Sequence, residues 1–233
     1  MTSRALGVIG GMGPAATVEF MRRVIEATPA RDDSDHVHLI VDNNPHIPSR
    51  IAALLDGGGE DPGPALAEIA QRLEAAGADA LVIPCNTAHH YLEQVVDAVE
   101  IPVLDLIALT LDHVQIEQPG IEEIGLLAST AVLETGLYAR ACEKRGLSIR
   151  FPANQEAVFG LIRQLKADAR ARKPSPEVEA ALAGLVQDGA DCVVLACTEL
   201  CLLETPPDAK VPVYDTVQIL AEEVVRIARG GAL

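Results

Sequence analysis

The chain contains an internal repeat, which constrains its fold more than any other feature of the sequence. Three pairs of segments align in the same order and at nearly constant spacing: 7–20 with 125–138, 77–87 with 189–199, and 101–105 with 211–215. The second pair reads GADALVIPCNT in the first half and GADCVVLACTE in the second. Three ordered matches are difficult to obtain by chance, so the sequence predicts two similar halves.

Within each half, short apolar runs alternate with amphipathic helical patterns. This alternation is typical of parallel sheets with right-handed helical crossovers. We therefore predict an α/β fold with two similar lobes, each a parallel-sheet α/β sandwich, related by pseudo-twofold symmetry with the active site between them. Residues 1–107 and 216–233 are expected to form lobe 1, and residues 108–215 to form lobe 2. Three segments are predicted to be continuous elements: helices over 87–99 and 131–146, and a strand over 101–106.

The composition excludes several classes of partner. The net charge of −16 opposes binding to the phosphate backbone of nucleic acids, and an aromatic content of 3% leaves few side chains for base stacking. No apolar run approaches the roughly 18 residues that a membrane helix needs. The first ten residues lack the pattern of a signal peptide. We therefore expect a cytoplasmic protein that acts on a small molecule.

Two of the five cysteines occupy equivalent points of the repeat. Cys85 and Cys197 each follow an apolar strand and precede a helix start, where N–H groups and the helix dipole stabilise a thiolate. The alternative is an ordinary buried cysteine, and we assign that role to Cys142, Cys192 and Cys201. Because the number is odd and no CxxC motif occurs, reduced thiols are expected rather than disulfides.

The position of the two thiols indicates a type of chemistry. Active sites in open parallel sheets lie outside the carboxyl ends of the strands, so two facing lobes would place both thiols in one cleft. One thiolate could then remove a proton from a carbon while the opposite thiol donates a proton to its other face. Racemisation and epimerisation need this geometry.

Other residues are candidates for binding an anion. Arg50 follows a stiff Pro-x-x-Pro segment, and a guanidinium is well shaped to grip a carboxylate. Lys166 lies in a predicted helix. For both residues the alternative is a solvated surface charge. The GGMGP turn around Met12 matches neither the dinucleotide nor the P-loop glycine pattern, and its N–H groups could instead cradle a carboxylate. None of the six histidines has partners at metal-ligand spacing, so no metal is expected.

Five motifs carry a resemblance to a known family. GVIGGMGP, DNNPHIPSR, PCNTAH, ASTAVLETGLY and CTEL together resemble the aspartate/glutamate racemase family over nearly the whole chain. The resemblance implies two α/β lobes, a homodimer and a two-thiol mechanism without a cofactor. It assigns the acid and base roles to Cys85 and Cys197. It also assigns substrate binding, with Asn86, Thr87, Thr130 and Thr198 on the α-carboxylate and amine, and Arg50 and Lys166 on the side-chain carboxylate.

Met12 and Glu199 complete the predicted substrate-binding set, and Glu199 could also orient or relay a proton near Cys197. The expected function is interconversion of L- and D-aspartate, with glutamate as the other candidate substrate. Two alternatives stay open at this point. One is a cysteine-dependent isomerase or decarboxylase of a small dicarboxylate such as maleate, and the other is a noncatalytic amino-acid-binding protein.

Overall fold

The computed structural model describes residues 4–168, 175–204 and 209–232. The strands are β1 Leu6–Gly10, β2 Leu39–Asn43, β3 Ala80–Val82, β4 Glu123–Ala128, β5 Ser148–Arg150, β6 Cys192–Ala196 and β7 Val213–Asp215. The α-helices are α1 Pro14–Ala27, α2 Arg50–Leu54, α3 Gly63–Ala75, α4 Leu92–Val96, α5 Leu106–Glu117, α6 Thr130–Glu134, α7 Leu137–Glu143, α8 Gln155–Ala167, α9 Pro176–Gln187 and α10 Thr216–Ala228. The strands form two parallel sheets, which confirms the predicted α/β class.

The chain divides into two compact units. Unit 1 comprises Met1–Leu106 and Val217–Leu233, and unit 2 comprises Ile107–Thr216. Each unit contains one of the two sheets. No helix of the described residues is long and apolar enough to cross a membrane.

Unit 1 is built on the sheet with strand order β2-β1-β3. Every residue of β1 and β3 is buried, as expected for parallel strands that are covered on both faces. Gly10 pairs with Asn43 at the carboxyl end of the sheet. Pro14 occupies the first turn of α1, where its missing N–H costs no helix hydrogen bond. The chain therefore leaves β1 through a glycine turn and enters α1 at the edge of the sheet where functional residues are expected.

Unit 2 is built on the sheet with strand order β5-β4-β6-β7. The central pair, β4 and β6, ends with Ala128 opposite Ala196. Cys142 and Cys192 are fully buried in the apolar cluster of this unit. Burial raises the pKa of Cys142 to about 11 and the pKa of Cys192 to about 12, so both thiols stay protonated at neutral pH.

The internal repeat extends to individual hydrogen bonds. Gly77 and Gly189 follow equivalent helices with φ angles of 95° and 93°, a left-handed conformation that favours glycine. Two residues later, a carboxylate accepts backbone N–H groups from the neighbouring strand segment: Asp79 accepts from Ala5, and Asp191 accepts from residues 122 and 123. The same glycine turn and the same carboxylate contact therefore precede β3 and β6, the two strands that lead to the predicted catalytic cysteines.

The three predictions of continuous elements were wrong in part. The segment 131–146 breaks because Gly136 adopts a φ of 62°, which ends α6 and starts α7. The segment 87–99 begins as a 3-10 helix over Thr87–Tyr91 before α4. The segment 101–106 contributes only the isolated bridge between Leu81 and Val103, because α5 already begins at its last residue.

Candidate active site

The loop after β3 positions Cys85. Its side chain is 6% exposed and packs in the apolar cluster of unit 1 together with Met12, Ile47 and Tyr91. The backbone N–H of Cys85 donates to the carbonyl of Ile83 at 2.7 Å, which tightens the turn directly after the strand. Cys85 therefore lies beyond the carboxyl end of β3, two residues before the 3-10 helix Thr87–Tyr91, close to a helix start as the repeat predicts.

The glycine turn after β1 brings two of the predicted binding residues together. Gly11 has a φ of 95°, and a Cβ at this position would lie 2.1 Å from the carbonyl oxygen of Asn44, so the turn requires glycine. The next residue, Met12, is buried and accepts a hydrogen bond from Nη2 of Arg50 at 3.4 Å. The turn therefore contacts the Pro-x-x-Pro segment through Arg50.

The guanidinium of Arg50 is held by backbone carbonyls. Nη1 donates to Pro48 at 2.8 Å and to Ile47 at 3.3 Å. The Nε atom is buried and has no hydrogen-bond partner in the described part of the chain. The charge of Arg50 also reaches the buried phenol of Tyr91, where it opposes the rise in pKa caused by burial and by Asp61. Arg50 is thus fixed near the segment that follows Cys85, and its Nε–H and one Nη2–H are not used by the three bonds described above.

The loop after β6 positions Cys197 and links it to two charged residues. The Cys197 side chain is 7% exposed, and its Sγ donates to Oε2 of the buried Glu199 at 3.1 Å. The other carboxylate oxygen of Glu199 lies 2.8 Å from Nζ of Lys166, whose side chain is 33% exposed. Thiol, carboxylate and ammonium therefore form a continuous chain.

The electrostatics of this chain favour the thiol form of Cys197. Burial raises its pKa well above the usual value, and the negative charge of Glu199 raises it further, whereas Lys166 lowers it. A thiol that donates to a carboxylate keeps its proton at neutral pH. Cys197 is therefore a protonated, hydrogen-bonded thiol in this structure.

The two halves differ at this point of the repeat. Glu199 occupies the position that corresponds to Thr87, two residues after the cysteine in each half. Asn86 and Thr198, which follow the cysteines directly, are each 2% exposed. The acid group beside Cys197 has a hydroxyl as its counterpart beside Cys85, so the two thiols have chemically different surroundings.

The remaining predicted binding residues also lie next to strand ends. Thr130 is the first residue of α6, and the Ser129 side chain caps that helix by accepting from the N–H of Val132. Thr87 and Thr130 are half-buried. The structure thus brings Met12 together with Arg50, and Lys166 together with Glu199 and Cys197. The meeting of Cys85 with Cys197 stays a prediction, as does contact of Lys166 with a substrate.

One residue of this region was not predicted for its observed role. His89 is buried and hydrogen bonds to the carbonyl of Cys85, whereas the sequence analysis considered the histidines only as metal ligands and assigned His89 no role. The described residues contain no group of three or more His, Cys, Asp and Glu side chains that could hold a metal ion. The only sequence feature that points to this role is the position of His89 four residues after Cys85. That spacing indicates a contact only when the helix geometry between the two residues is known.

Comparisons with known proteins identify the relatives of the chain. The sequence profile of the Asp/Glu/hydantoin racemase family matches residues 9–224. The broad-specificity amino-acid racemase RacX of Bacillus subtilis is 25% identical over 225 residues, which cover 94% of this chain and 96% of RacX. The aspartate racemase of Picrophilus torridus has a similar structure, with a TM-score of 0.85, 30% identity, and coverage of 97% of this chain and 94% of that one. An aspartate racemase homologue from Pyrococcus horikoshii shares the fold at a TM-score of 0.73 and 22% identity, over 98% and 100% of the two chains.

Proposed function

Because the chain belongs to the Asp/Glu/hydantoin racemase family, as its motifs suggested, we propose that it interconverts L- and D-aspartate with two cysteines and no cofactor. Racemase function is supported by the family and by the two amino-acid racemases it resembles. Beyond this reaction class, we propose the substrate, the two catalytic thiols and the role of each thiol. The observation that carries it is the hydrogen-bonded thiol of Cys197 at the same point of the repeat as Cys85.

The proposed reaction uses the two thiols in opposite protonation states. The Cys85 thiolate removes the α-proton of one enantiomer, and the Cys197 thiol donates its proton to the opposite face of the same carbon. The reverse reaction begins with the protons exchanged. Since the α-proton of an amino acid is weakly acidic, hydrogen bonds to the α-carboxylate must stabilise the negative charge that develops on it. We assign these bonds to Asn86, Thr87, Thr130 and Thr198.

The geometry of Arg50 supports a substrate with a second carboxylate. Its Nε–H and one Nη2–H lie on the same edge of the planar guanidinium and can bind two carboxylate oxygens together. The buried Nε lacks a partner in the described part of the chain, and a buried donor without an acceptor costs free energy that a ligand oxygen would recover. The carbonyls that hold Nη1 and Nη2 keep the guanidinium in place, so little side-chain freedom is lost on binding.

Lys166 has a related part in the proposal. Its ammonium already forms an ion pair with Glu199. A substrate carboxylate would therefore share Lys166 with the carboxylate of Glu199. The protein carries a net charge of −16, so an acidic amino acid must be attracted by specific cations. Arg50 and Lys166 are the two that we assign to this task, with Met12 positioning Arg50 through its carbonyl.

We also propose a cytoplasmic homodimer. Val18 and Ile25 of α1 are more than half exposed and lie seven residues apart, which places them on one face of the helix. Because they share one exposed helix face, these two side chains are the candidates for an apolar contact with a second copy.

The proposed function is tested by incubating the protein separately with L- and D-aspartate and following the enantiomers by chiral chromatography. Both reactions should approach an equal mixture of the two enantiomers. Alanine, which lacks the second carboxylate, should react far more slowly than aspartate because it cannot engage Arg50. Absence of conversion of aspartate would contradict the proposal; if glutamate, incubated in the same way, is not converted either, the noncatalytic alternative is favoured.

A further inference from the structure

His89 connects the turn that contains Cys85 to the start of α5. The imidazole Nε2 lies 3.0 Å from the backbone nitrogen of Leu106, which donates to it. The Nδ1 atom lies 2.9 Å from the carbonyl oxygen of Cys85. A backbone N–H can only donate, so Nε2 is the acceptor of the ring and Nδ1 carries the proton. The two contacts together determine the tautomer.

The protonation state of the ring agrees with this arrangement. His89 is 5% exposed, and burial lowers its pKa, although the carbonyls of Cys85 and Leu104 and the charge of Asp105 oppose that change. The neutral ring both donates and accepts, as the two contacts require. An imidazolium would lose its acceptor for the N–H of Leu106.

The 3-10 geometry explains why a side chain is needed here. In an α-helix the N–H of His89 would bond to the carbonyl four residues earlier, that of Cys85. In the 3-10 helix it bonds instead to Asn86, at 3.1 Å. The imidazole Nδ1–H supplies the donor to Cys85 in its place.

In the second half of the repeat, the carbonyl of the equivalent cysteine receives its hydrogen bonds from the main chain. Cys201 corresponds to His89 in the repeat. There the carbonyl of Cys197 accepts the backbone N–H groups of Leu200 at 2.9 Å and of Cys201 at 3.3 Å. Because the main chain already binds this carbonyl, no imidazole is required, and a buried cysteine can occupy the position.

We infer that His89 is a positioning residue for Cys85, which fixes the peptide group between Cys85 and Asn86 by bonding its carbonyl to the start of α5. The C=O and N–H of a trans peptide point in opposite directions. Holding the carbonyl against the imidazole therefore also sets the direction of the Asn86 N–H and of the Cys85 side chain. The catalytic part of this inference rests on the proposed function, whereas the positioning of the thiol does not.

Two substitutions separate the two hydrogen bonds of the ring. In His89→Asn, the side-chain N–H2 can take the place of Nδ1 and keep the bond to Cys85. In His89→Gln, the side-chain oxygen can take the place of Nε2 and keep only the bond to Leu106. Each variant loses one buried hydrogen bond, so a purely structural role predicts similar losses for both.

The readouts are the turnover of aspartate and the alkylation rate of each cysteine by iodoacetamide, resolved by peptide mass spectrometry. His89→Asn should stay within about threefold of the wild type in both. His89→Gln should lose about tenfold in turnover, the equivalent of one hydrogen bond, and alkylate about fivefold faster at Cys85 with Cys197 unchanged. Equal behaviour of the two variants would overturn the inference.

Controls keep the outcome independent of folding and of the reaction. Val95→Ala truncates a fully buried residue of the same apolar cluster and should lower the melting temperature with Cys85 alkylation near the wild-type rate. The nitrogen chemical shifts of the wild-type His89 ring should show an Nδ1–H tautomer, and an Nε2–H tautomer would overturn the inference without any variant. If the wild type does not racemise acidic amino acids, the proposed function fails while alkylation still tests the role of His89.

Discussion

Replacing either Cys85 or Cys197 with serine is expected to reduce the racemisation of aspartate by about 10³-fold or more, because general acid–base catalysis by a positioned group contributes about 10²- to 10⁴-fold. A serine hydroxyl is far less acidic than a thiol. It therefore does not form the anion that would act as the base, and it is too weak an acid to replace the thiol as proton donor. Chiral chromatography of both enantiomers measures the effect. Cys142→Ala, in the buried core of unit 2, should lower stability and leave turnover per folded molecule near the wild-type value.

The two serine variants also separate the proposed racemase from its nearest alternative. An isomerase or decarboxylase that uses one nucleophilic cysteine would depend on only one of the two residues. A large loss in one variant with full activity in the other would therefore contradict the two-thiol mechanism. Equal and severe losses would support it, because each direction of racemisation needs one thiol as base and the other as acid.

Glu199→Gln is expected to lower the pKa of Cys197. The negative charge of Glu199 raises that pKa, and glutamine removes the charge and can offer an amide N–H to the thiolate. Each unit of pKa changes the thiolate fraction by about tenfold below the pKa, so alkylation of Cys197 near neutral pH should accelerate about tenfold or more. Peptide-resolved alkylation over a range of pH measures the change.

The same substitution should shift the pH dependence of racemisation. Activity falls as the pH rises through the pKa of the proton donor, since a thiolate cannot donate. A lower pKa for Cys197 therefore moves the alkaline limb of the profile to lower pH. Glu179→Gln, at an exposed position of α9, is the matched control and should leave both profiles unchanged. An unshifted alkaline limb in Glu199→Gln would show that Cys197 is not the proton donor that limits the rate.

The sequence predicted the architecture because short matching segments recur in the same order, and each segment determines its local structure by itself. The matching GAD segments, their glycines and the following apolar strands recur at nearly constant spacing, and each forms the same turn in the structure. The break at Gly136 was missed because a glycine inside an apolar helical pattern is compatible with a continuous helix until its φ is known. The φ angle of 62° at Gly136 is left-handed and therefore divides the segment into two helices.

The chemistry around the cysteines was predictable only in part. The repeat selected Cys85 and Cys197 as candidate catalytic residues, and the residues next to them in sequence became candidate binding residues. The contact between Lys166 and Glu199 joins residues 33 positions apart, and no local pattern encodes it. The role of His89 depends on a 3-10 turn that redirects one backbone N–H, which propensity alone does not reveal. Local patterns thus predicted a candidate site, and tertiary contacts determine how its groups are paired and held.

Solvent deuterium incorporation tests the action of two thiols on opposite faces of one carbon most directly. The reaction of L-aspartate in D2O, followed by proton NMR with chiral separation at low conversion, should place deuterium at the α-carbon of the newly formed D-aspartate, while the remaining L-aspartate keeps its α-proton. D-aspartate should give the mirror result. Deuterium that enters the remaining substrate as fast as the product, or an α-proton that is carried into the product, would indicate a single base and contradict the assignment of Cys85 and Cys197 to opposite faces.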